Sequence, residues 1–216
     1  MARRTKEEAQ ETRSRILDTA ERVFFEKGVS RTSLTDIAEA AGVTRGAIYW
    51  HFRNKSDLFE GMFARIKMPF EELIEPTIDV LEPDPLGRIR ELVMLVLEGT
   101  VSNPQRARVL DILYFKCEFT EEMGVVLSRH KDAIRDARDK MAAGFRNAVG
   151  KGQLPADLDT CRASEMLHAF LGGMLADWLL APDQVDMRAN AGIYVDALLD
   201  MFRYSPALRT SKQQAA

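Results

Sequence analysis

Apolar residues recur at helical spacing along almost the whole chain. Ile16, Leu17, Ala20, Val23 and Phe24 share one face of a helix, and Gly28 follows where such a helix stops. Ser33-Leu34-Thr35-Asp36 has capping-box spacing, with Asp in the place of Glu. The pattern predicts a short helix with Leu34, Ile37, Ala38 and Ala41 inward, ended by Gly42. A second short helix, capped by Thr44, should run to about His51, and Asn54 can cap another, with Asp57 three residues on.

Proline and glycine punctuate the rest. Pro83-Asp84-Pro85 interrupts the chain ahead of an apolar-rich helix over 86–101, and Asn103-Pro104 ends it. Helices are predicted over 105–115 and over about 120–149, the latter stopped by Gly150-Lys151-Gly152. Ala163, Met166, Leu167, Phe170, Leu171, Met174, Leu175, Trp178 and Leu179 then form a wide apolar face. A last helix carries Tyr194, Val195, Leu198, Leu199, Met201 and Phe202. No run alternates in the manner of a strand, and no repeat is present. The expected fold is all-α, with a head over 1–60, a body over 61–208 and a frayed polar tail over 209–216.

Composition sharpens this division. The 216 residues are 46% hydrophobic, enough for a packed core, and carry a net charge of −3. The charge is uneven: residues 1–67 hold 13 Lys+Arg against 10 Asp+Glu, and residues 68–216 hold 17 against 23. A basic head on an acidic body suggests a polyanionic partner at the head alone. The two cysteines, Cys117 and Cys161, lack metal-ligand spacing and fit a reducing compartment. Cys161 and His168 lie two turns apart, too far for one metal on one helix, so no metal or other cofactor is expected. The basic start has no apolar stretch behind it, and 170–180 is too short to span a bilayer and contains Asp177. The expected location is the cytoplasm, with no membrane partner.

Two short helices joined by Ala41-Gly42-Val43 have the form of a helix-turn-helix, and Gly42 supplies the residue that tolerates positive φ. The second helix would lie in the major groove. Ala47 and Ile48 suit its inner face, while Thr44, Arg45 and Tyr49 share the outer one. Arginine is shaped to bind guanine O6 and N7 bidentately, which makes Arg45 the candidate base reader. Thr32, Ser33, Tyr49, His51 and Lys55 are candidates for phosphate contacts. The alternative is a small helical bundle with a solvated polar face.

Residues 35–58, from Thr35 through Ala41-Gly42-Val43-Thr44-Arg45-Gly46-Ala47-Ile48-Tyr49-Trp50-His51-Phe52-Arg53-Asn54-Lys55 to Leu58, closely resemble the DNA-binding signature of the TetR family. The likeness begins upstream at Thr12-Arg13. The arm over 2–13, Asp84-Pro85-Leu86, Lys116-Cys117-Glu118-Phe119 and Leu154-Pro155-Ala156-Asp157-Leu158 look like the AcrR- and TtgR-like branch, local repressors of multidrug efflux pumps. The resemblance implies about nine helices: three in a DNA-binding head, then a ligand-binding and dimerising body. It implies phosphate contacts at Tyr49, His51 and Lys55, and close approach to DNA at Gly46. Arg3, Arg4 and Lys6 of the arm would add minor-groove or phosphate contacts, or else form a solvated start.

The resemblance also implies an effector cavity, with facing positions at Ile66, Leu92, Val96, Leu110, Leu113, Tyr114, His168, Leu171, Gly172 and Leu175. Related efflux repressors can carry polar residues at the positions of Leu110 and Leu171-Gly172, so this cavity would be more apolar. The Met- and Phe-rich body suits a small hydrophobic or aromatic inducer, although any one such residue reads first as ordinary core. Gly172-Gly173 falls inside a predicted helix, where each glycine costs ~1 kcal/mol against alanine. Close packing across a dimer or room for a ligand would offset that. The dimer is expected to use Phe170, Met174, Trp178, Leu198, Met201 and Phe202 in a four-helix bundle from two copies, reading a pseudo-palindromic operator. The expected function is a ligand-responsive repressor of a multidrug efflux operon. The alternatives are a global or activating regulator with another effector, or an enzyme using Cys117 and His130 as nucleophile and base. No motif surrounds that pair, so catalysis is not expected. Cys117 as a redox sensor, or as an inert packed thiol, stays open.

Overall fold

The computed structural model describes residues 6–66, 70–118 and 123–210. Among these are ten α-helices: α1 (Lys6–Lys27), α2 (Leu34–Ala40), α3 (Arg45–His51), α4 (Lys55–Ala64), α5 (Phe70–Ile78), α6 (Pro85–Val101), α7 (Pro104–Asp111), α8 (Gly124–Gly150), α9 (Thr160–Leu180) and α10 (Met187–Tyr204). A π-helical turn, Ile112–Lys116, extends α7, so the segment predicted over 105–115 is helical throughout but widens at its end. The tenth helix is α5, which the punctuation did not mark. Pro69, with no N–H to donate, separates it in sequence from α4.

The helix ends follow from their caps. Ser33 Oγ accepts the Asp36 N–H at 3.1 Å, and Asp36 Oδ2 accepts the Ser33 N–H at 2.7 Å, which closes the expected capping box. Thr44 Oγ1 accepts from Ala47 N at 3.1 Å and starts α3; Asn54 Oδ1 accepts from Asp57 N at 2.8 Å and starts α4. Gly28 and Gly42 take φ of 83° and 64°, the left-handed conformation that lets α1 and α2 end in tight turns.

The chain forms two compact units, each discontinuous in sequence. The first joins Met1–Lys67 to Pro104–His130; the second joins Met68–Asn103 to Lys131–Ala216. The first unit thus takes in a stretch that the punctuation assigned to the body. Specific bonds hold it there. Glu21, almost fully buried, pairs with Arg108 at 3.2 Å and accepts from Gln105 Nε2 at 3.1 Å. The Val29 N–H donates to the Lys116 carbonyl at 2.9 Å. Val109, Ile112 and Leu113 join the core of Ile16, Leu17, Phe24, Ile37, Ile48 and Phe59. A buried carboxylate is tolerated only when paired in this way.

The second unit packs α6, α9 and α10 with most of α8. Its centre holds Ile89, Val93, Leu97, Phe145, Val195 and Phe202, and the rings of Phe145 and Phe202 meet edge to face at 5.2 Å. Two expected dimer residues are corrected here. Leu198 is 3% exposed and Phe202 is 0% exposed, so both belong to the core of a single chain and present no surface to a partner. The apolar face of α10 was too wide to show which part turned inward. Phe170, Met174 and Trp178 are half-buried against the same core, while Met201 is exposed.

The tail is also shorter than expected. Arg209 and Thr210 do not fray: the Thr210 N–H donates to the Asp157 carbonyl at 2.8 Å, and Arg209 pairs with Asp157 at 3.4 Å. The bridge between Leu158 and Arg209 is the only β-type pairing among the described residues. Residues 211–216 lie outside the described range. No helix among the described residues is long and apolar enough to cross a membrane.

Candidate nucleic-acid interface

The outer face of α3 is set by what its inner face buries. Ile48 is fully buried and Ala47 half-buried, so the helix period turns Arg45, Gly46, Tyr49 and Trp50 outward, and all four are exposed. This is the face predicted for reading DNA, with one addition. Trp50, 72% exposed, was not singled out from sequence; its ring meets that of His51 edge-on at 4.5 Å. A large aromatic residue left in water on a short polar helix is the signal that could have marked it. The Arg45 guanidinium lies over the Tyr49 ring, 5.7 Å from its centroid.

Gly46 has a different significance. Its backbone is ordinary helix, and a Cβ placed there would meet only Thr44 Oγ1, at 3.9 Å. Nothing inside the chain requires a glycine. The missing side chain leaves room for another body to approach the backbone closely at this point.

Beside α3, a groove of about 460 Å³ is lined by Arg31, Ser33, Tyr49, Arg53, Asn54 and Lys55, among others. Arg31 and Arg53 add positive charge that the sequence reading did not assign; both are exposed, and Arg53 shares Asp57 at 3.4 Å. The Asp36 carboxyl at the same face is held below the usual carboxylate range. The Ser33 backbone N–H is the main cause and the Ser33 hydroxyl the second.

Two of the expected phosphate ligands, Thr32 and Lys55, line the same groove but are buried and already bonded within the chain. The Thr32 hydroxyl is buried and donates to the Gly28 carbonyl at 2.8 Å, which shapes the loop before α2. Lys55 is 7% exposed, and its ammonium donates to the Thr32 carbonyl at 3.2 Å, which ties the start of α4 to that loop. These bonds brace the loop before α2 from within. Ser33, Thr44 and Tyr49 are exposed as expected, and His51 is half-buried. Lys6 is exposed at the start of α1, while Arg3 and Arg4 lie outside the described residues.

The expected effector contacts divide between the units. In the first, Ile66 and Leu113 are core residues, Leu110 packs on that core, and Tyr114 is 41% exposed. In the second, Leu92 and Leu175 are buried, Val96 and Leu171 pack against them, and Gly172 is half-buried. His168 is exposed and lines, with Met141, Ser164, Leu167 and Leu171, a cavity of only about 50 Å³. A Cβ on Gly173 would meet nothing within 4 Å, so packing within one chain does not account for that glycine either.

The chemistry needed for a Cys–His enzyme is opposed. Partial burial pushes the Cys117 thiol up and the His130 imidazole down, each away from the thiolate–imidazolium pair that nucleophilic catalysis uses. Among the described residues, no group of three or more His, Cys, Asp or Glu side chains is placed to hold a metal ion.

Comparison with known proteins finds matches to both parts of the chain. Residues 16–62 match the family described as bacterial regulatory proteins, tetR family, and residues 84–204 match the MAATS-type transcriptional repressor C-terminal region. The chain is 44% identical over 209 residues to the HTH-type transcriptional regulator TtgR of Pseudomonas putida, covering 97% of this chain and all of the relative. The crystal structure of NalD, the secondary repressor of the MexAB-OprM multidrug efflux pump in Pseudomonas aeruginosa, superposes with a TM-score of 0.84 at 35% identity, covering 93% of this chain and 100% of NalD. SmeT, the repressor of the Stenotrophomonas maltophilia pump SmeDEF, solved with triclosan, gives a TM-score of 0.78 at 30% identity, over 90% of this chain and 93% of SmeT.

Proposed function

The chain belongs to the TetR family of bacterial transcriptional regulators, and from that premise we propose that it represses a multidrug efflux operon as a homodimer and is released by a small hydrophobic compound. The observation that carries the DNA half is the outward set of Arg45, Gly46, Tyr49 and Trp50 on α3, with open space at the glycine for a close approach. Arg45 reads a base edge, Tyr49 and Ser33 hold phosphates, and Lys55 acts from behind by bracing the loop.

The dimer half is supported by apolar surface on the second unit. Ile193, Tyr194, Met201 and Tyr204 of α10 and Leu180 of α9 are exposed, and Phe170, Met174 and Trp178 are half-buried. Two copies of α9 and α10 can cover these residues in a four-helix bundle, and a two-fold dimer matches a pseudo-palindromic operator. The effector half is supported by the relatives' efflux repressors and the triclosan complex of SmeT. In the second unit, Leu92, Val96, Leu171 and Leu175 belong to one apolar cluster, which a hydrophobic compound could enter only by displacing part of it. Release requires that the compound bind the DNA-free conformation more tightly, typically by about 1–3 kcal/mol of coupling.

The test is a gel-shift titration on DNA upstream of the protein's own gene. Random DNA serves as competitor, with and without triclosan, aromatic antibiotics and dyes. Specific binding released by a member of the panel is expected. Binding of such a compound with operator affinity unchanged would refute the coupling, and no specific binding at any salt concentration would refute the operator reading.

A further inference from the structure

We propose that Tyr49 is a positioning residue for base reading: its ring holds the Arg45 guanidinium in the orientation that recognises a guanine. The proposal rests on the DNA-reading role of α3 above and goes beyond the phosphate contact expected of the Tyr49 hydroxyl.

Arg45 is the first residue of α3 and Tyr49 stands one turn on, so their side chains meet on the same exposed stripe. The guanidinium carbon lies 5.7 Å from the ring centroid, within the range of a cation–π contact. No acidic partner holds Arg45 among the described residues, so the ring is the contact that restricts it. Free arginine samples many rotamers, and bidentate recognition of guanine O6 and N7 needs one. A ring face beside the guanidinium narrows that freedom before DNA arrives, by about 0.5–1 kcal/mol, roughly two- to fivefold, at an exposed site, and leaves the guanidinium N–H groups able to donate to a base. The phenol hydroxyl lies at the far end of the ring and stays available for a phosphate. One side chain therefore performs two separable tasks: the hydroxyl contributes affinity on any sequence, and the ring contributes discrimination at one base pair.

The separation makes the proposal testable on the full-length protein. A duplex is selected from a randomised library with the wild-type protein. Affinities are then measured for that duplex, for each single base-pair change in it, and for an unrelated duplex of equal length. Arg45→Ala identifies the base pair it reads by losing discrimination there, roughly 5- to 150-fold. Tyr49→Phe keeps the ring and should lose affinity equally on all duplexes, with discrimination at that base pair retained. Tyr49→Leu should lose discrimination at the same base pair, and adding Arg45→Ala to it should cause little further loss there. Circular dichroism of each variant controls for folding, which the exposed position of Tyr49 favours.

Full discrimination by Tyr49→Leu, with only a uniform loss of affinity, would overturn the positioning role while leaving the operator reading intact. Full discrimination by Arg45→Ala at every base pair removes Arg45 as reader, and the proposal with it. Failure of the wild-type protein to select any duplex refutes the DNA-reading role itself.

Discussion

Substituting Gly46 by alanine should move stability and function in opposite directions. Gly46 is the second residue of α3, in helical conformation, and its added Cβ would meet only the Thr44 hydroxyl oxygen at 3.9 Å, an ordinary contact. The helix should therefore gain the usual preference for alanine, about 0.5–1 kcal/mol, with the lower end expected so near the N-terminus. In a chain of this size that raises Tm by roughly 1–4 °C. On DNA the same methyl occupies the space into which a phosphate or base edge must come. Withdrawing the backbone by even a fraction of an ångström loosens every neighbouring contact of α3. The expected loss is at least about tenfold, or 1.4 kcal/mol, on selected and unrelated duplexes alike. Thermal melting and gel-shift titration on the same preparation give both numbers. The rise in Tm removes unfolding as an explanation for lost binding. Unchanged operator affinity with raised Tm would refute the argument that an external body explains this glycine, and a fall in Tm would refute the reading of the space around it.

Other consequences follow from single positions. Phe202→Ala opens a cavity beside Phe145 and should cost about 3–5 kcal/mol in chemical denaturation, with a loss of monomer stability, because Phe202 is internal; a variant of wild-type stability that merely dissociates would restore Phe202 to the interface. Gly173→Ala should leave the monomer fold intact, since its Cβ meets nothing in one chain, yet weaken self-association in sedimentation equilibrium; unaltered association removes this glycine from the dimer. Asp36 has a native-state value depressed by the Ser33 N–H and hydroxyl. Its capping contribution is therefore fully present above the unfolded-state value and is lost as pH falls through the native one, below about pH 4. The Tm difference between wild type and Asp36→Asn should shrink over that window, and a difference independent of pH would contradict the cap.

Which parts of the molecule were legible in sequence follows a physical rule. Helix starts were readable because a cap is a local event: Ser33, Thr44 and Asn54 each bond a backbone N–H three residues on, and that spacing is written in the chain. Gly28 and Gly42 were readable for the same reason, since a left-handed residue announces a turn. The membership of Pro104–His130 in the first unit was not readable. It depends on Glu21 meeting Arg108 and Val29 meeting Lys116, contacts 87 residues apart in each case, and no local pattern encodes them.

The candidate site shows the same rule at the level of single side chains. Residue type predicts the chemistry a group can perform, but its direction is decided by neighbours distant in sequence. The outward direction of Arg45 and Tyr49 is legible because they oppose Ile48 on one short helix, where the period alone fixes direction. For Lys55 and Thr32 residue type does not show the internal bonds, because the loop after α1 brings the Thr32 carbonyl to the Lys55 ammonium across 23 residues of sequence. Trp50 was passed over for the opposite reason: an aromatic residue suggests core, and only its exposure reveals a contact surface. On α10 the error has the same origin, because an apolar face does not state whether its own chain or a second copy covers it. Leu198 and Phe202 are covered from within, while Ile193, Met201 and Tyr204 are not. A partner is therefore argued from the residues that folding leaves uncovered, since folding has already buried the most apolar stripe of each helix.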